Sequence, residues 1–312
     1  MRQIPLGSSS LLVSRIVAGC MRMDKVTPAE ADTFIHSALD LGINLFDHSD
    51  VYGQTAGSCE EFFGRLLTPS LRDQMVIQTK CGVMKGKPVY DFSKEHILSS
   101  VDDSLKRLRT DHIDVLLLHR PDALADPEEI AEAFYELHRT GKVTGGFGVS
   151  NQNSLQIELL RKYTSFPILT NQLQVSIAHP HIIATGQSVN SDRYFAPDRD
   201  GAILDYCRLH DITIQAWSPF QYGFFGGVFF DHKKFPELNA VIDRLAEKYA
   251  VSNTTIATAW ILRHPAKMQV LSGTMKAERL ADMAAAEEIS LAREEWYELL
   301  QEGLKLFPGA VK

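Results

Sequence analysis

Asp47, Tyr52, Lys80 and His119 are the residues best suited to chemistry in this chain, because three of them close consecutive apolar, strand-like runs. The runs are Asn44–Asp47, Met75–Lys80 and Val115–His119, and Tyr52 stands in the turn directly after the first. A phenol with an ordinary pKa of about 10 can deliver a proton at neutral pH, and a nearby ammonium makes the tyrosinate left behind less costly. Lys80 is the natural tuner, Asp47 would hold that ammonium protonated, and His119 could donate a hydrogen bond to a carbonyl oxygen and turn it toward Tyr52. Singly, these residues have plain structural explanations: a rim ion pair, a turn aromatic, a core histidine. Jointly they do not, because buried charge is costly unless it is paired or used. The constellation predicts an enzyme with a carbonyl-polarising site.

Such groups meet only if their strands lie side by side and end on one rim. Eight short β-rich runs recur along the chain: Arg15–Ala18, Asn44–Asp47, Met75–Lys80, Asp114–Leu118, Val143–Val149, Ile168–Gln172, Thr213–Ala216 and Gln269–Leu271. Amphipathic stretches alternate with them, the pattern of βα units around a parallel sheet. Thr27-Pro28-Ala29-Glu30 spells a capping box with proline in the first turn, Phe34, Ala38 and Leu41 form its apolar face, and Gly42 stops it. Asp126-Pro127-Glu128-Glu129 through Gly141 repeats that grammar, while Ser58-Cys59-Glu60-Glu61 and Ser93 open two more helices. Ile97, Val101, Leu105 and Leu108 keep the spacing of a buried stripe. The expected fold is an α/β chain forming a (β/α)8 TIM barrel, one domain over residues 1–312. Ile4 to Val13 reads as a small N-terminal β-hairpin that plugs the far end of the barrel. Three longer connections, Ser176–Arg199, Ser218–Pro236 and the segment after the last run, are expected as long rim loops lining a substrate pocket.

Composition narrows the partner class to small molecules. A net charge of −7 with scattered Lys and Arg leaves no footprint for nucleic acid or an anionic membrane. The N-terminus lacks the basic stretch and apolar core of a signal peptide, and no apolar run nears the ~20 residues of a span, so a cytoplasmic protein is expected. Cys20, Cys59, Cys81 and Cys207 form no C-x-x-C pair, which suggests neither a zinc site nor a disulfide framework. Cys81 neighbours Lys80 but faces the opposite side of its strand, so it reads as a plain buried thiol. His179-Pro180-His181 has no carboxylate or thiol nearby and reads as loop rather than metal site, and no metal is expected anywhere. Gly145-Gly146-Phe147-Gly148 lacks the third glycine of a Rossmann turn, because Asn151 takes that position, and reads as a strand passing close to its neighbours. Phe220, Tyr222, Phe224, Phe225, Phe229 and Phe230, with Met21 and Met23, are candidates to wall an apolar pocket or to pin their loop.

Asp47-x-x-x-x-Tyr52-Gly53, Lys80 after a β-run and Leu116-Leu-Leu-His119-Arg-Pro-Asp122 resemble the aldo-keto reductase family. The likeness continues in order through Gly148-Val-Ser150-Asn151, Asn171-Gln172, Trp217-Ser218-Pro219 and Ser272-Gly273-Thr274 to Arg279. Asp47-His48-Ser49-Asp50 with Lys80-Cys81-Gly82 is most similar to the YdhF-type bacterial oxidoreductases of that family. The resemblance implies metal-free reduction of an aldehyde or ketone by hydride from NADPH, with NADH as the alternative cofactor. It implies Tyr52 as proton donor, Lys80 and Asp47 as its tuners and His119 as the group that orients the carbonyl. It also implies that Ser150, Asn151 and Gln172 hold the nicotinamide carboxamide, that Trp217 stacks on its ring, and that Ser218, Pro219 and Phe220 approach the pyrophosphate. Ser272, Gly273 and Thr274 would complete the cofactor site, and Arg279 would bind the adenosine 2′-phosphate. Gly273 stands where many relatives carry lysine and Met283 where many carry an amide, while Trp217 replaces a frequent tyrosine.

Two other readings compete. Lys80 could act as a Schiff-base nucleophile in a lyase, though a carboxylate partner keeps an amine protonated and non-nucleophilic. The barrel could instead bind NADPH as a sensor or regulatory subunit without turnover, which an intact four-residue constellation disfavours. The expected assembly is a monomer or small homo-oligomer.

Overall fold

A computed structural model describes residues 1–86, 89–187, 203–223 and 226–305. Two short strands, β1 (Gln3–Pro5) and β2 (Leu12–Ser14), pair antiparallel as the expected hairpin. The barrel strands follow as β3 (Ile16–Gly19), β4 (Leu45–Asp47), β5 (Val76–Cys81), β6 (Ile113–Leu118), β7 (Val143–Ser150), β8 (Ile168–Gln174), β9 (Thr213–Trp217) and β10 (Gln269–Ser272). They close in the order β10-β3-β4-β5-β6-β7-β8-β9, every pair parallel. This is the eight-stranded barrel that the alternating runs predict.

The outer layer comprises α1 (Pro28–Asp40), α2 (Ser58–Leu66), α3 (Pro69–Arg72), α4 (Lys94–Leu108), α5 (Pro127–Arg139) and α6 (Ser154–Arg161). It continues with α7 (His181–Gln187), α8 (Ile203–Leu209), α9 (Pro236–Tyr249), α10 (Asn253–Leu262), α11 (Ala277–Ala284) and α12 (Arg293–Leu304). The capping box of α1 is complete: Glu30 N–H donates to Thr27 Oγ1, and the Glu30 carboxylate accepts from Thr27 N–H. Such a cap is worth about 1 kcal/mol. Gly57, in left-handed geometry, caps α2, leaving Ser58 as its first helical residue, hydrogen-bonded to the Asp24 carboxylate. Glu60, expected as an ordinary opening residue, is fully buried and held by Thr79 and Arg107.

Alternation along the strands divides the interior in two. Ile16, Phe46, Ile77, Cys81, Leu116, Phe147 and Ile214 face the helices, while Val17, Leu45, Val76, Val115, Leu117 and Leu271 point inward with Ile4, Leu6 and Val13 of the hairpin. The hairpin therefore plugs the N-terminal mouth. Its turn fits only glycine at position 7: φ is +56°, and a Cβ there would lie 2.4 Å from Leu169 O. Gly148 confirms the strand reading of its glycine run, because a Cβ would meet Thr170 Cγ2 at 2.6 Å.

Several strands run further toward the C-terminal rim than the apolar runs predict. Ser150 pairs with Gln172, Trp217 with Gln174 and Ser272 with Ala18, so these residues belong to the ladder and not to loops. Neighbouring strands carry the pairing past the point where hydrophobicity stops. The segment after the last strand is also not the expected open loop. It forms α11, a short 3-10 turn and α12, which is anchored where the Trp260 and Trp296 indoles each donate to the other's carbonyl, at 3.0 and 2.8 Å. The connection from Ser176 begins with a bridge between Ser176 and His179 and continues into α7. Its expected remainder to Arg199, like Phe224 and Phe225, lies outside the described residues.

Candidate active site

Lys80 and Gln78, two positions apart on β5, both point inward, and the inward Lys80 meets Asp47 at the end of the neighbouring strand. Lys80 Nζ lies 2.7 Å from each carboxylate oxygen of Asp47, 2.8 Å from His48 O and 3.0 Å from Tyr52 Oη. The Lys80 and Asp47 side chains are 0% and 1% exposed. Burial pulls the ammonium down, but Asp47 and Tyr52 outweigh it, so the Lys80 pKa is raised and the amine stays charged. For Tyr52, burial raises the phenol, Lys80 lowers it and Asp47 raises it, leaving it above its ordinary value and protonated. The tyrosine is placed by its turn: its N–H donates to Ser49 O at 3.1 Å and its carbonyl accepts from Cys59 N–H.

His119 follows β6 and its N–H donates to Cys81 O. Its ring stands edge-on to Tyr52, with centroids 5.9 Å apart. Burial, then Lys80 and Arg120, push its pKa well below the ordinary value, so the imidazole is neutral. The four residues singled out in the sequence thus come together on one rim. Sequence reasoning missed what holds the histidine: Nδ1 lies 3.0 Å from Ser49 Oγ, which lies 3.1 Å from Asp50 Oδ1. The signal was present, since Ser49 and Asp50 sit between two of the four key residues. Neighbouring His48 turns away, packs edge-on against Phe63 at 4.5 Å, and is driven by burial, with Lys80, down to about 3, so it stays neutral.

Beneath the site lies a second unforeseen feature, a layer of buried glutamines. The Nε2 groups of Gln78 and Gln172 donate to Asp47 Oδ1 at 2.6 and 3.1 Å, and both also donate to Gln215 Oε1. Gln215 returns a bond to Gln78 and passes another to Gln269, whose amide donates to Ser14 O. Polar residues at alternate positions in apolar strands, Gln78 before Lys80 and Gln215 before Trp217, are the pattern that could have revealed it. The layer fixes Asp47 from below while Lys80 holds it from above.

A cleft of about 1540 Å³ opens over these groups and is lined by Asp47, Tyr52 and His119, with Lys80 buried behind Tyr52. It exceeds the ~300–1,000 Å³ of ordinary small-molecule pockets, leaving room for a dinucleotide beside a substrate. Ser150, Asn151, Gln172 and Trp217 line it and are joined: Asn151 Nδ2 donates to Ser150 Oγ at 2.7 Å, and Trp217 Nε1 to Asn151 Oδ1 at 3.2 Å. Ser218, Pro219 and Phe220 continue the wall, and Ser272, Gly273, Thr274 and Arg279 extend it outward. Arg279 is exposed in the first turn of α11, whose N-terminus carries no side-chain cap. Phe220, Phe230 and Met21 line the cleft, whereas Met23 and Phe229 are fully buried and Tyr222 packs on His232 and Phe235. The aromatic loop is thus split between walling the pocket and pinning itself. The His179 and His181 rings pack against each other at a tilt of 49°, and among the described residues no cluster of three or more His, Cys, Asp or Glu is arranged to hold a metal ion. No helix among the described residues is long and apolar enough to cross a membrane.

Residues 15–301 match the Aldo/keto reductase family. The chain is 34% identical to oxidoreductase YdhF of Escherichia coli (strain K12), covering 93% of this chain and 94% of that protein. It is also 34% identical to a 6-dehydroglucose reductase of Agrobacterium fabrum (strain C58 / ATCC 33970), covering 96% and 97%. Among solved structures, the thermostable aldo-keto reductase Tm1743, crystallised with the inhibitor epalrestat, superposes with a TM-score of 0.77 over 97% of this chain and 100% of that one, at 22% identity.

Proposed function

Because the chain belongs to the aldo/keto reductase family and is an NAD(P)H-dependent oxidoreductase, we propose that it reduces aldehydes or ketones to alcohols with NADPH, using Tyr52 as proton donor. The observation that carries this reading is the continuous arrangement of Asp47, Lys80 and Tyr52 under the rim, with His119 edge-on to the phenol. Bound NADPH would supply hydride to the carbonyl carbon. Tyr52 Oη gives its proton to the carbonyl oxygen, and the charged Lys80 at 3.0 Å stabilises the phenolate that remains. His119 orients the carbonyl by a hydrogen bond from its ring. Asp47, clamped by two glutamine amides, keeps Lys80 in place and charged.

The donor set suits the cofactor. Ser150, Asn151 and Gln172 offer the amide and hydroxyl groups a carboxamide needs, Trp217 offers an aromatic face, and Ser218 to Phe220 with Ser272 to Thr274 form the walls beyond. Arg279 supports NADPH over NADH. A guanidinium in the first turn of a helix lies at the positive end of the dipole, a poor place for a cation unless an anion is shared there. Lys80 as a Schiff-base nucleophile is the weaker reading, since an ammonium gripped by both oxygens of Asp47 is not nucleophilic.

Titrating the tryptophan fluorescence with NADPH and with NADH tests the cofactor, and following NADPH oxidation over a panel of carbonyls tests the reaction. An oxidised sugar belongs in that panel, given the 6-dehydroglucose reductase relatives. Arg279→Ala is expected to weaken NADPH about tenfold or more and to leave NADH nearly unchanged, as expected for a charge-assisted phosphate contact. Equal weakening of both nucleotides would remove Arg279 from the 2′-phosphate. Binding without turnover of any carbonyl would favour a regulatory barrel.

A further inference from the structure

Ser49 has one hydroxyl hydrogen and two neighbours that can take it. Its Oγ lies 3.1 Å from Asp50 Oδ1 and 3.0 Å from His119 Nδ1, and Val51 N–H donates to the same oxygen at 3.4 Å. If the hydroxyl donates to an ionised Asp50, it can only accept from the ring, so the proton of a neutral His119 sits on Nδ1 and Nε2 is a bare acceptor. If Asp50 is a neutral acid, it donates to Ser49, which then donates to Nδ1 and leaves the ring proton on Nε2. Resting on the reading of His119 as the group that orients the substrate carbonyl, we propose that Ser49 and Asp50 are positioning residues that set its tautomer and switch Nε2 between donor and acceptor. A carbonyl oxygen accepts only, so the Nε2–H form is the one that serves reduction.

Proton bookkeeping makes the switch a one-place shift along the chain. Raising the pH removes the Nε2 proton to water, while one hydrogen moves from Ser49 to Nδ1 and another from Asp50 to Ser49. One proton leaves, Asp50 ends as carboxylate and the imidazole stays neutral throughout. The groups facing Asp50 are Glu60 from α2, Arg107 from α4, Lys80 and Cys81 from β5 and, through Ser49, His119 after β6. Burial and Glu60 push the Asp50 carboxyl up to about 7, against Ser49, Arg107 and Lys80, which pull it down. Burial also keeps His119 from charging and Tyr52 from ionising across the same range. The switch therefore falls near neutrality, with reduction favoured on the acid side.

Nitrogen-15 NMR of histidine-labelled full-length protein, with the His119 signals identified by their loss in His119→Asn, reads the tautomer directly. The expected result is an Nε2–H ring at about pH 6 and an Nδ1–H ring at about pH 8.5. Ser49→Ala should abolish the pH dependence of the tautomer, and Ser49→Thr, which keeps a hydroxyl, should restore it. In parallel, kcat for carbonyl reduction at saturating NADPH should fall about tenfold or more across that range in the wild type and follow a flat profile in Ser49→Ala. The same tautomer at both pH values, or an unchanged switch in Ser49→Ala, would overturn the inference. The NMR measurement needs no substrate, so a protein that turned over no carbonyl would overturn the reductase reading while the tautomer still decided this one.

Discussion

Tyr52→Phe is expected to lose carbonyl reduction while NADPH binding stays nearly intact. The phenol is the acid of the proposed reaction, and general acid catalysis contributes about 10² to 10⁴ in rate. The ring itself has little reason to move. Phenylalanine keeps the edge-on contact with His119 and leaves Lys80 Nζ over the ring face, 4.7 Å from its centroid in the native protein. Lys80 retains both Asp47 oxygens and His48 O when the hydroxyl is gone. The lining residues proposed for the cofactor are untouched. NADPH oxidation with the best carbonyl of the panel, alongside a fluorescence titration, separates the two effects. Retention of more than about a tenth of the wild-type rate would remove Tyr52 from the proton-donor role.

The second large effect concerns stability and activity together. Asp47→Leu strands a fully buried ammonium without its counter-charge and leaves the Gln78 and Gln172 amides without the oxygen they share. Breaking a buried pair from one side typically costs about 3–5 kcal/mol. Asp47→Leu should therefore be much less stable than the wild type in urea unfolding, and inactive. Lys80→Met should be destabilised less, because the remaining carboxylate still accepts from two glutamine amides. The double variant, with both charges gone, should recover much of the loss of Asp47→Leu and remain inactive, since nothing then stabilises the developing phenolate. A double variant as unstable as the sum of the singles would show that the pair acts independently and that the desolvation argument fails. An active Lys80→Met would remove lysine from the chemistry.

Much of this site is legible in the primary structure because strand ends are a strong signal. Asp47, Lys80 and His119 terminate apolar runs, and in a parallel barrel adjacent strand ends share a rim. Lys80 also carries a parity argument: Cys81 beside it packs among the helices, so Lys80 itself must point into the barrel. The glutamine layer was open to the same parity reading, yet a glutamine in a strand has no feature of its own that marks it as a ligand of a carboxylate. Which amides reach Asp47 depends on strand stagger across the barrel, and Gln78 meets Gln215 although 137 positions separate them. The aromatic loop after β9 divides into lining and pinning residues for a similar reason: composition is shared, and only the fold of the loop tells Phe230 from Phe229.

The order of strands and helices, the plugging hairpin and the four groups on the rim follow from local information. Hydrophobic period, caps and turn residues act within a few positions of one another, and chain order sets adjacency in a βα barrel. Tertiary structure alone decided how far the strands extend and which neighbours touch Asp47, His119 and Asp50. Those outcomes rest on contacts between distant segments and on burial. A carboxyl group exposed at a surface is ionised at neutral pH, whereas that of Asp50, raised to about 7 by burial and Glu60, is divided between acid and carboxylate there.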